Sequence, residues 1–68
     1  MDYNIIYESL MDDSRVVSVL PNPWKGWIIV QIHPWIEYPE DVVNEILMKL
    51  GLYFYIDDVN NDYVFVTF

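Results

Sequence analysis

The chain contains no cysteine. A disulfide framework is therefore excluded, as is every zinc site built on thiolates. Glycine is almost as scarce: Gly26 and Gly51 stand alone, so no glycine-rich loop is available to cradle a phosphate. His33 is the single histidine. Glu37 and Glu40 lie near it in sequence, but no nucleophile–base–orienter set can be assembled around it, and an enzyme is not expected. Neither a cofactor nor a metal ion is expected. Cations are also few. Arg15, Lys25 and Lys49 face eleven carboxylates, for a formal net charge of −8. A field of that sign repels nucleic acids and anionic membranes and attracts basic surfaces. No apolar run approaches the ~20 residues of a membrane span. The N-terminal stretch lacks the basic segment and apolar run of a secretory signal. Together with the missing cysteine, this makes a cytoplasmic location the expectation.

Apolar residues fill the space these absences leave. A chain of 68 residues is expected to form one domain, and at that size folding buries only about 60% of the unfolded surface. One core then supplies about 3–5 kcal/mol. Without covalent staples the remedies are a densely apolar core or self-association. The composition, 54% hydrophobic and 18% aromatic, supplies the apolar surface and argues against disorder despite the charge.

Periodicity divides the chain into six elements. Tyr3, Ile6, Tyr7, Leu10 and Met11 follow the spacing of a helix face, with Asp2 placed to cap it. Tyr3, Ile5 and Tyr7 also alternate as a strand would, so the first segment admits both readings, and helix matches more positions. Arg15–Leu20 reads as a strand. Residues 21–26, with two prolines and a glycine, read as a turn, and Trp27–His33 as a second strand. Pro39 suits a first helical turn, and Glu40 and Asp41 stand where the macrodipole favours acid. Val42, Val43, Ile46, Leu47 and Leu50 give that helix one apolar stripe, and Gly51 suits its C-terminal cap. The last segment, L-Y-F-Y-I-D-D-V-N-N-D-Y-V-F-V-T-F, reads as a hairpin whose turn is the polar D-D-V-N-N-D run.

The expected fold is α+β in the order αββαββ, with two helices on one face of a four-stranded antiparallel sheet. Two αββ halves, 1–33 and 39–68, are suggested by internal similarity. Glu8-Ser9-Leu10-Met11 matches Glu45-Ile46-Leu47-Met48, and Trp27-Ile28-Ile29-Val30 aligns with Tyr63-Val64-Phe65-Val66.

Alternation assigns Ile28, Val30, Ile32, Leu52, Phe54, Ile56, Val64, Val66 and Phe68 to the core face. The opposite face should be polar if it meets water. Instead it carries Trp27, Ile29, Tyr53, Tyr55, Tyr63 and Phe65, diluted by Gln31, Asp57 and Thr67. Tyrosine and tryptophan are residues enriched at interaction surfaces. Trp24 and Trp35, in irregular segments, are either plugs at the edge of the core or further interface anchors. Asp58, Asn60 and Asp62 have the spacing that opens a calcium loop, but the sixth position is Tyr63 rather than glycine, and a turn is the better reading.

Two functions follow as expectations. The first is a small acidic inhibitor or modulator that occludes the basic, nucleic-acid-binding surface of a partner protein. By compositional analogy it resembles short acidic chains encoded by phages and mobile elements. Its contact residues would be Trp24, Trp27, Trp35, Tyr53, Tyr55, Tyr63 and Phe65, with Asp57, Asp58 and Asp62 prominent among the acids. The second is a homodimeric interaction module that uses the aromatic sheet face on itself. Direct binding of nucleic acid is not expected, because the charge has the wrong sign.

Overall fold

The computed structural model describes residues 1–68. The first segment is a helix, α1 (Tyr3–Met11), entered through Asp2, whose carboxylate accepts the Asn4 N–H at 3.0 Å. That bond satisfies one of the donors a helix start leaves open. Strands β1 (Val16–Asn22) and β2 (Trp27–Ile32) form a hairpin, α2 (Pro39–Lys49) follows, and β3 (Tyr55–Asn60) and β4 (Tyr63–Thr67) form a second hairpin.

Helix α2 ends as its glycine requires. Gly51 adopts φ +70°, its N–H donates to Met48 O at 3.0 Å, and the Leu52 N–H donates to Leu47 O at 3.4 Å. These paired bonds are those of a Schellman cap. They turn the chain so that Leu52 packs back on the core beside the buried Leu47.

The sheet is antiparallel throughout, in the order β1-β2-β4-β3, with both helices on one face. Twelve aliphatic side chains form the buried core: Ile6 and Leu10 from α1, Val42, Val43, Ile46 and Leu47 from α2, and Val16, Ile28, Val30, Ile32, Val64 and Val66 from the sheet. No polar side chain is buried. At the centre, Ile29 faces Phe65. The Ile32 N–H donates to Asp62 O at 2.7 Å, and the Phe68 N–H donates to Gly26 O at 2.9 Å. These two bonds are mates under the offset that aligns Trp27 with Tyr63. The β2–β4 register is thus symmetric about a local twofold between the two strands. Arg15 joins the layers. Its guanidinium bonds Asp13 at 2.7 Å and Glu45 of α2 at 2.6 Å.

Three boundaries differ by two residues or more from those read in the sequence. Strand β1 runs on through Pro21 and Asn22, and the turn shrinks to residues 23–26. Strand β1 is an edge strand, where a proline need not remove a ladder bond. In the second hairpin most of the D-D-V-N-N-D run is strand. Val59 pairs with Val64 and Asn60 with Tyr63, leaving a two-residue turn at Asn61-Asp62 in which Asn61 takes φ +56°. Asparagine tolerates that left-handed conformation better than most residues, so the tight turn closes and the ladder extends. Residues 52–54, expected in the strand, are unpaired connection. They keep their alternation, with Leu52 and Phe54 against the core and Tyr53 outward.

Candidate functional site

The second face of the sheet carries no helix. Its residues follow from the register. One row across the strands is Asn22, Trp27, Thr67, Tyr55. The middle row is Leu20, Ile29, Phe65, Asp58. The third is Ser18, Gln31, Tyr63, Asn60. With strands about 4.8 Å apart, the middle row spans roughly 14 Å. Its first three members form an apolar band, and Leu20 is 59% exposed. Tyr55 and Tyr63 flank the band and are exposed, while Trp27, Ile29 and Phe65 are half-buried. A contiguous apolar band on an open face is more than a solvated sheet usually presents.

The third row is held by polar bonds. Ser18 Oγ donates to Gln31 Oε1 at 3.1 Å, and Gln31 Nε2 donates to Asp62 Oδ2 at 3.0 Å. Asp62 is thus committed to the end of the sheet. Strict alternation would put Asp57 on this face and Asp58 on the other. A bulge between Ile56 and Asp58 changes that. It sets Asp58 opposite Phe65 while Asp57 accepts the hydroxyl of Thr67, so both carboxylates belong to the open face. A bulge places two residues of one strand against one of its neighbour. The sequence singled out Asp58 as a contact acid but did not place it on this face, because the signal for a bulge lies in pairing, not in composition.

Beside this pair the face has its most apolar concavity, about 380 Å³ in volume and lined mainly by Trp27, Ile29, Phe65, Thr67, Asp57 and Asp58. No lysine or arginine stands on the face. Lys25 sits in the β1–β2 turn, Lys49 ends α2, and Arg15 is engaged on the helix side. The two acids on Arg15 hold its guanidinium protonated more firmly than usual, chiefly through the Asp13 bond. In return the hydrogen bond from Arg15 lowers the Asp13 carboxyl to about 2, against the smaller opposing effect of desolvation. Asp13 and Glu45 are thus already paired and not free to engage a partner.

The remaining aromatic candidates are scattered. Trp24 is 96% exposed at the tip of the first hairpin. Trp35 lies beyond the opposite end of β2, 72% exposed, with its ring stacked on His33 at 4.1 Å and 14°. Neither plugs the core, and the fold does not bring them together. Tyr53 is 94% exposed in the α2–β3 connection and is not a member of the sheet rows. Of the residues singled out in the sequence, the open face unites Trp27, Tyr55, Tyr63, Phe65, Asp57 and Asp58. No helix is long and apolar enough to cross a membrane. No protein-family model, curated protein or solved structure matches this chain.

Proposed function

We propose that the protein is a small acidic protein-binding modulator that docks its open sheet face onto a partner whose contact surface is apolar at the centre and basic at one rim. The observation that carries this reading is the uncovered Leu20–Ile29–Phe65 band ending at the Asp57/Asp58 pair, on a face without a cation. The apolar band supplies desolvated contact area. The carboxylates supply orientation and a faster encounter with a basic surface. A partner that uses such a surface on nucleic acid would be occluded by this contact, which is the inhibitory form of the proposal. The same charge pattern argues against a second copy as the occupant. Two of these faces brought together would offer four carboxylates and no cation to neutralise them.

The test is capture from cells of the source, or from cells such an element would enter, with wild-type protein and two variants. Ile29→Lys should abolish capture of the specific partner. Joint replacement of Asp57 and Asp58 by lysine should weaken it at least about tenfold, the effect of losing about 1.4 kcal/mol. Wild-type capture should also weaken between 0.05 and about 0.5 M salt, as the Debye length shrinks. A partner retained equally by wild type and Ile29→Lys would refute docking through this face.

A further inference from the structure

The open face is asymmetric, and its asymmetry specifies one element of the partner. At the β1 edge the rows end in Ser18, Leu20 and Asn22, which are uncharged. At the β3 edge they end in the bulge, where the concavity has an apolar floor of Trp27, Ile29 and Phe65 and a wall bearing Asp57 and Asp58. We propose that this concavity is the seat of one arginine side chain of the partner, the guanidinium lying against the Trp27 and Phe65 rings with its N–H groups directed at the two carboxylates. The proposal rests on the docking reading of this face and adds the chemistry of the contact at its acidic rim.

Three observations favour arginine. The first is acceptor supply. Asp57 Oδ2 accepts from Thr67 and Asp58 Oδ1 from the Val59 N–H, and the other oxygen of each carboxylate has no protein donor. Two acceptors on adjacent residues suit a planar fork of donors. The second is the floor. A guanidinium is weakly hydrated and stacks flat on aromatic rings, where a cation gains further from the ring quadrupole. A lysine ammonium is a compact, strongly hydrated charge and leaves such a floor uncovered. The third is the shortage of oxygen. Apart from the two carboxylates and the Thr67 hydroxyl the lining side chains are hydrocarbon or indole, whereas calcium takes six to eight oxygen ligands. A second copy offers a single arginine, Arg15, which is already paired with Asp13 and Glu45.

The probe is Nα-acetyl-arginine amide, titrated into isotopically labelled protein and followed by NMR, with Nα-acetyl-lysine amide as its control. The arginine amide should give saturable shifts confined to Trp27, Phe65, Thr67 and residues 57–58, with Kd on the order of millimolar for so small a ligand. The lysine amide should bind at least about threefold more weakly. Asp57→Asn with Asp58→Asn should abolish saturation and leave the remaining amide spectrum in place. Asn can still accept from Thr67, so the bulge is retained. Equal responses to both amides, shifts spread over the carboxylates of α1 and α2, or unchanged titration of the double variant would each overturn the arginine seat. The two proposals fail separately. If the arginine amide does not bind but Ile29→Lys still abolishes partner capture, the seat falls and the docking face stands. If the amide binds as described but Ile29→Lys captures the partner as wild type does, docking falls and the seat stands.

Discussion

Neighbouring residues on β4 offer a direct measure of which sheet face is covered. Val64 is fully buried beneath the helices, and Phe65, next in the chain, points to the open side. Val64→Ala removes two methyl groups, about 1.5 kcal/mol of transfer free energy, and leaves a cavity in the core. The expected loss is about 2 kcal/mol. For a domain of this length that is close to half of the available stability and lowers Tm by about 8–16 °C. Phe65→Thr puts a β-branched strand former in place of the ring and sacrifices cross-strand contact on the open face, chiefly with Ile29, for about 1 kcal/mol or less. The assay is urea unfolding of each variant at two protein concentrations at least about tenfold apart. Val64→Ala should be the more damaging at both, although the ring it spares is larger. If Phe65→Thr costs as much as Val64→Ala regardless of concentration, the face is not open and the reasoning fails. If its cost grows with concentration, a second copy covers the face and the foreign-partner proposal falls.

Two further predictions concern the frame. Asp13 titrates at about 2 in the folded chain against an ordinary 3.8, so its pair with Arg15 contributes stability above about pH 4 and loses it as pH falls through about 2. Both side chains are partly solvated, so the contribution is about 1 kcal/mol or less. Asp13→Asn should therefore destabilise the chain by that amount at neutral pH. The difference from wild type should shrink between about pH 4 and pH 2, as followed by circular dichroism; a constant difference would contradict the ion pair. Gly51→Ala meets no atom within 4 Å but must hold φ +70°, at a cost of about 1–2 kcal/mol. Gly51→Asn should recover part of that loss, and thermal melts that leave the two variants equal would show that the cap is not limiting.

Much of the architecture was legible in the residues themselves. The stripe of Val42, Val43, Ile46 and Leu47 between Pro39 and Gly51 specifies a helix whatever surrounds it, because start signal, period and stop signal agree. The first segment was ambiguous, since Tyr3, Ile5 and Tyr7 alternate while Tyr3, Ile6 and Leu10 follow a helix. Packing decided it: Ile6 and Leu10 are buried together, and Ile5 and Tyr7 are exposed. The polar D-D-V-N-N-D run shows the opposite limit. Its composition favours turns, yet Val59 finds Val64 across the ladder and only Asn61-Asp62 turn.

The amino-acid sequence by itself determined the helix-and-hairpin order, the aliphatic core face and the apolar character of the opposite face. These follow from local periods of 3.6 and 2, which each segment carries without its neighbours. It also determined the acidity, through composition alone. The tertiary structure decided that Trp24, Trp35 and Tyr53 stand apart from the sheet rows, that Asp13 and Glu45 are occupied by Arg15, and that Asp57 and Asp58 share the open face. The last of these depends on a bulge, which exists only when two strands pair out of step by one residue. Pairing is a property of strands brought together, and no single segment carries it.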